Sequence, residues 1–253
     1  MSTSKLIIVS VFTYGAIQLA LNHYKTLKSH GITNYMAYVL DNESYQEMQK
    51  HGYNVTYVDG YKYSKGNLDF GTTEFNKLMY VRYHIIRDLL QEGHDVWSLD
   101  VDTVVLKDIR SIYDSCKGTN LDIWLQNDIN MPCAGCVLYM SSADTINIVK
   151  LVLQNKDKYV NDQYCLVGIL NNIPTFVSEN VLSRQVSVSL FDSSQFPNGL
   201  LYFDTSINRN SYARVIQEYN NIPDKQTYFV HANWMIGNDT KIAALKSKRL
   251  WFI

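Results

Sequence analysis

Two aspartates one residue apart, Asp100 and Asp102, stand where the apolar run Val96-Trp97-Ser98-Leu99 stops. A short apolar run of this kind reads as a buried strand. A carboxylate pair at the carboxyl end of a buried strand faces the crevice where open α/β sheets bind ligands. Hard divalent cations take oxygen ligands, and Mg²⁺ is commonly held by one or two carboxylates together with substrate phosphates. The pattern points to a metal-dependent enzyme that handles a nucleotide diphosphate. Taken alone the spacing is weak, because acidic pairs at a surface are mostly just solvated; the apolar segments on both sides give this one its weight.

A second spacing, Cys133-x-x-Cys136, would suit zinc or redox chemistry. The chain has no second such pair, and on an extended segment positions i and i+3 point to opposite faces. Cys116, Cys133, Cys136 and Cys165 therefore read as reduced, buried thiols of a cytoplasmic protein. With 253 residues, 46% hydrophobic and 19% charged, the chain has the composition of a soluble globular protein. It fits one α/β domain, with a nucleotide-binding half over about 1–110 and an acceptor- and metal-completing half over about 111–253. A net charge of -1 excludes the basic footprint of nucleic-acid binding. The run Leu6-Ile-Ile-Val9 is too short for a membrane span and has no cleavage site after it, so a cytoplasmic location is expected.

Hydrophobic periodicity sets the elements around the aspartates. A strand over 5–12 is followed by a helix over 15–30 with Ile17, Leu21, Tyr24 and Leu27 at helical spacing and Gly31 at its end. A strand over 35–40, a helix capped by Asp41, and a strand over 54–58 complete a βαβαβ opening. That order predicts an α/β fold with a mixed, mainly parallel central sheet flanked by helices. Residues 60–71 form a loop that is either an active-site segment or a solvated connection. Thr72 or Thr73 then caps a helix whose buried stripe is Phe75, Met79, Tyr83, Ile86 and Leu90. Arg82 on that helix reads either as a phosphate contact or as a solvated residue. Beyond the aspartates come strands over 122–126 and 133–140, a helix capped by Ser141 or Ser142, a helix over 161–170 and a strand over 186–190. Trp97 and Trp124 read as core, while Trp234 suits either core or site.

Four blocks in order resemble one family: Phe75-Asn76-Lys77 with Asp100-Val-Asp-Thr-Val-Val105; Ala134 to Ser142; Asn161-Asp-Gln163 with Leu190 to Gly199; and His231 to Lys241. Together they resemble the GT-A nucleotide-diphospho-sugar transferases. The likeness is nearest to the family 77 group of α-xylosyl-, α-galactosyl- and arabinosyltransferases, and more distant to the glycogenin-like transferases. The resemblance implies that Asp100, Asp102 and His231 hold Mn²⁺ or Mg²⁺, with Asp100 also touching the ribose. It implies that Gly237, Lys241 and Lys77 lie against the diphosphate, and that Thr13, Tyr14 and Val101 flank the nucleotide. Gln126, Ala134 and Gly135 would meet the donor sugar. Cys133-Ala134-Gly135 stands where the family often has Asn-Ser-Gly or Asn-Thr-Gly, which opens the question of donor selectivity.

The reaction implied is transfer from a UDP-sugar to a hydroxyl of a glycan or protein acceptor, with retention at the anomeric carbon. Asp162 and Gln163, with Lys77, are the candidate catalytic residues; Asp162 reads equally as the N-cap of its helix. A front-face route lets the leaving phosphate take the acceptor proton, so no dedicated base is required. Three alternatives compete. Leu99-Asp-Val-Asp-Thr-Val also fits the nucleophile motif of haloacid-dehalogenase-type phosphatases, but no adjacent Asp-Asp follows Asp102 to complete their Mg²⁺ site. A nucleotidyltransferase would carry a basic Gly-rich loop where this chain has Phe12-Thr-Tyr-Gly-Ala16. A catalytically inactive sugar-nucleotide-binding module is the third.

Overall fold

Strand β1 (Lys5–Phe12) turns Leu6, Ile8 and Phe12 into one apolar cluster and Ile7, Val9 and Val11 into another. A strand apolar on both faces belongs at the centre of a sheet covered on both sides. In the computed structural model, which describes residues 5–60, 72–203 and 209–253, it lies there. All but the first residue of the expected 60–71 loop falls outside the described residues.

After β1 come α1 (Ile17–Ser29), β2 (Tyr35–Val39), α2 (Asn42–Lys50), β3 (Val55–Tyr57), α3 (Thr73–Gln91) and β4 (His94–Leu99). Then follow β5 (Thr103–Val105), α4 (Arg110–Lys117), β6 (Ile123–Asn127), β7 (Pro132–Tyr139), α5 (Ala143–Gln154) and α6 (Asp162–Asn171). The remainder is α7 (Ile173–Ser178), β8 (Val188–Phe191), α8 (Gly199–Phe203), α9 (Arg209–Asn220), β9 (Phe229–His231) and α10 (Asn238–Ser247). The helix starts have local causes. Asp41 accepts from the Ser44 amide at 2.7 Å, Thr72 from Phe75 at 3.2 Å and Ser142 from Thr145 at 3.0 Å. Each satisfies a first-turn N–H that the helix cannot.

The central sheet runs β3-β2-β1-β4-β7-β6-β8, parallel except for β7, which is antiparallel to both neighbours. Leu78, Met79, Val81 and Ile85 of α3 cover one face together with α5 and α6. Ile17, Ala20, Tyr24 and Leu27 of α1 cover the other. The chain adds β2 and β3 on one side of β1 and β4 on the other, so the switch point lies beyond the carboxyl ends of β1 and β4.

Two features aim residues at that point. The β6–β7 register slips between Leu125 and Gln126, so that Leu125 pairs with Val137 but Gln126 with Cys133. The bulged residues 134–136 on β7 then approach β4, and the Asp100 amide donates to the Gly135 carbonyl at 2.8 Å. Bulges commonly re-aim side chains beside active sites in this way. The second feature is the pairing of β9 with β5, which sets His231 opposite Thr103; the Ala232 amide donates to the Asp102 carbonyl at 2.9 Å.

Candidate functional site

At the switch point lies a cleft of about 430 Å³. Its walls come from the ends of β1 and β4, the first turns of α3 and α6, the β6–β7 turn and the segment around His231 to Lys241. Asp100, Asp102 and His231 meet there, with one ligand atom from each within 4.8 Å of the others. His231 Nε2 is 3.1 Å from Asp102 Oδ1 and 3.8 Å from Asp100 Oδ2. The Lys241 ammonium donates to Asp102 Oδ2 at 2.8 Å.

Burial sharpens the electrostatics. The side chains of Asp102 and His231 are 7% and 2% exposed, while that of Asp100 is 36% exposed and opens to the cleft. Burial alone would raise the Asp102 carboxyl, but Lys241 and His231 outweigh it and hold the group well below the usual carboxylate range. Burial likewise works against charge on His231 and Lys241, and the Asp102 carboxylate reverses it, so both are raised. Two carboxylates and an imidazole nitrogen opening on one point form an O, O, N donor set that suits Mn²⁺ and also Mg²⁺.

Gly135 is required by this geometry. A Cβ there would lie 2.4 Å from Asp100 Oδ2 and 2.7 Å from His231 Cε1. The backbone beside the pair leaves no room for a side chain. Gly237, at φ 81°, turns the chain into α10, whose N-terminus opens onto the cleft beside Lys241. First-turn amides and the helix dipole favour an anion there.

Thr13, Val101, Ala134, Gly135, Asp162 and Gln163 all line the cleft, as do Gly237 and Lys241. The Ala134 amide donates to Gln163 Oε1 at 3.3 Å, tying the bulge to α6. Four expectations are corrected. Lys77 lies on the exposed side of α3, about 200° around the helix from the cleft-facing Phe75, and does not line the cleft. Tyr14 is 40% exposed and outside the lining, its amide held by Asp41 Oδ2 at 2.8 Å. Gln126 is fully buried beneath His231 with both ends of its amide bonded, so it cannot touch a sugar. The N-cap of α6 is Asn161, whose side chain accepts from the Tyr164 amide at 3.0 Å.

Asp162 instead pairs with Arg82, which lines the cleft but is buried rather than solvated. Its guanidinium is buried and bridges Asp100, at 2.7 Å, to Asp162. Arg82 falls inside the apolar stripe of α3, between Met79 and Ile86, and a charge in a buried stripe demands buried partners. That was the available signal. Burial pushes the Asp162 carboxyl up, with Arg82 pulling it back only in part. Asp128, in the β6–β7 turn, also lines the cleft and accepts from Trp234 Nε1 at 2.5 Å and Asn233 Nδ2 at 3.2 Å. All four cysteines are buried and free; Cys136 packs near Trp97, whereas Cys133 sits at the cleft with its Sγ 3.9 Å from His231 Nδ1.

Comparison with known proteins agrees with this architecture. The model of the nucleotide-diphospho-sugar transferase family matches residues 30–245. The UDP-galactose:fucoside alpha-3-galactosyltransferase of Dictyostelium discoideum is 24% identical, covering 97% of this chain and 43% of its own length. The chain thus spans less than half of that curated relative. Mouse xyloside xylosyltransferase 1 superposes with a TM-score of 0.54 at 11% identity, over 90% of this chain and 97% of the other. An active-site mutant of LgtC gives 0.55 at 14% identity, over 96% and 94%. The mainly parallel sheet flanked by helices is the expected GT-A arrangement. Among the described residues no helix is long and apolar enough to cross a membrane.

Proposed function

With most of its length matched by their family model, this chain belongs to the nucleotide-diphospho-sugar transferases, and we propose that it is a metal-dependent glycosyltransferase that moves a sugar from a UDP-sugar to a hydroxyl acceptor with retention of configuration. The observation that carries this reading is the convergence of Asp100, Asp102 and His231 with Lys241 and the N-terminus of α10 in one cleft. Membership in this family removes the phosphatase reading of the Asp-Val-Asp-Thr motif.

Breaking the sugar–phosphate bond leaves charge on the departing diphosphate. Asp100, Asp102 and His231 would hold a divalent ion, which would supply Lewis-acid neutralisation of that charge. Lys241 and the first-turn amides of α10 add fixed positive charge on the same side, oriented before the reaction begins. In this reading Thr13 and Val101, which line the cleft, bound the nucleoside, and Ala134 and Gly135 the sugar. In this reading Asp162 and Gln163, which line the cleft, face the acceptor, and the bond from Arg82 holds Asp162 in place. With that carboxylate engaged, the leaving phosphate oxygen is the natural acceptor of the hydroxyl proton. The activity named for the Dictyostelium relative supports this route: it pairs UDP-galactose with an alpha linkage, an outcome that preserves the configuration of an α-linked donor. It also makes UDP-galactose the first donor to try, with a glycan or protein as acceptor.

The test is UDP release from a panel of UDP-sugars, with Mn²⁺ or with a chelator, in the wild type and in Asp102→Asn. Turnover of one donor that needs the metal and disappears in the variant is expected. Equal turnover in chelator, or hydrolysis of simple phosphate esters with no sugar nucleotide consumed, overturns the reading.

A further inference from the structure

The side-chain amide of Gln126 ends in two different atoms, and its surroundings leave one way to place them. One end faces two backbone carbonyls, Phe196 O and Pro197 O, each at 3.1 Å. Carbonyl oxygens only accept, so this end is the NH₂ group with its two donors. The oxygen must then be the end that meets His231 Nδ1 at 2.7 Å, and the ring nitrogen must carry the hydrogen. The nearby Cys133 Sγ, at 3.9 Å from Nδ1, is a far weaker competitor. With the Nδ1 hydrogen held by Gln126, Nε2, the atom that faces Asp102 and Asp100, is the nitrogen left to bind a cation in place of the hydrogen that the Asp102 carboxylate otherwise favours there.

We propose that Gln126 is a positioning residue that locks His231 in the Nδ1–H tautomer and so presents Nε2 to a divalent cation. This deepens the proposed metal site and rests on that reading only for the cation. Histidine ligands usually hold their tautomer through a carboxylate, a backbone carbonyl or water. Here a neutral amide does so, adding no charge to a site that already holds Asp100, Asp102 and Asp162. A glutamate at 126 would also turn a carboxylate oxygen onto the carbonyls of Phe196 and Pro197, where nothing could donate. The β6–β7 register slip falls at Gln126 itself, which links the bulge to the orientation of the ring.

Two measurements test the proposal. The ¹⁵N chemical shifts of the His231 ring in metal-free wild type should show hydrogen on Nδ1 at every pH at which the protein is folded. In Gln126→Leu the ring should move to a mixture of tautomers or to Nε2–H. Mn²⁺ affinity, read by calorimetry, should fall about 10- to 100-fold, as expected when the partner behind a metal-binding histidine is lost. A wild-type ring with no hydrogen on Nδ1 overturns the proposal without any variant, whatever Gln126→Leu does to folding. An unchanged tautomer in a folded Gln126→Leu overturns it as well. If the wild-type ring is Nδ1–H and the variant shifts it, but neither protein binds Mn²⁺, the tautomer lock stands and the metal reading fails.

Discussion

Replacing Gly135 with alanine adds a single methyl group to β7 at a position whose φ suits any residue. The new Cβ would lie 2.4 Å from Asp100 Oδ2 and 2.7 Å from His231 Cε1, against about 3.4 Å for ordinary contact. The carboxylate must therefore retreat by about 1 Å and the ring by about 0.7 Å. Asp100 is partly exposed and can give way, at the expense of its contact with Arg82. His231 is 1% exposed and held by Gln126, so it cannot follow freely. Overpacking of this size costs about 1–3 kcal/mol, equivalent to a fall in melting temperature of roughly 2–12 °C for a chain of this length. A displacement of about 1 Å among the groups proposed to hold the metal should lower kcat/KM by about 10²-fold. Gly118→Ala is the control, because its Cβ meets nothing closer than 3.4 Å. Thermal melts and Mn²⁺ calorimetry on the three proteins decide the matter. A Gly135→Ala variant that melts and binds Mn²⁺ like Gly118→Ala would refute the steric reasoning.

Other perturbations probe the surrounding parts. Arg82→Leu leaves the buried Asp162 without its cation and should cost about 3–5 kcal/mol in urea unfolding, partly recovered by adding Asp162→Asn; a loss under about 1 kcal/mol would contradict the bridge. Lys241→Met should weaken UDP binding far more than uridine binding under the proposed role of its charge at the diphosphate; equal losses would place it elsewhere. A third site tests the frame. Asp122 accepts from Arg184 and the Ser187 amide, and these bonds outweigh burial to lower its carboxyl. A depressed folded value gives stability that is present above the unfolded carboxylate value, near about 3.9, and is lost as pH falls through the folded value. The difference in melting temperature between wild type and Arg184→Gln should accordingly be present at pH 7 and fade in acid; a difference constant with pH would rule this out.

Much of the frame is visible in local sequence because local rules produce it. Asp41 starts α2 by capping it, and the two-faced apolar runs of β1 and β4 can settle only at the centre of a sheet. Asp100 and Asp102 declare themselves by standing where β4 ends. What was misread depends on contacts between distant segments. The motif alone points Lys77 at the donor, whereas helical periodicity turns it away from Phe75, Leu78, Met79 and Arg82. Gln126 looks like any polar residue at a strand end, and only the bulge and the return of β9 set it beneath His231. Arg82 needed two carboxylates from two other elements before its burial made sense. Helices α7, α8, α9 and α10 are missing from the sequence-based elements; α7 and α8 are 6 and 5 residues long, too short for a helical stripe to show.

The central claim is that Asp102 and its neighbours bind a metal and a nucleoside diphosphate together. Calorimetric titration of UDP into wild type and Asp102→Asn, each with Mn²⁺ and with chelator, addresses it most directly. Binding should be tight only in wild type with Mn²⁺ and should drop by at least about tenfold, or about 1.4 kcal/mol, when either the metal or the carboxylate is removed. UDP binding of equal strength in all four titrations, or in none of them, would contradict it.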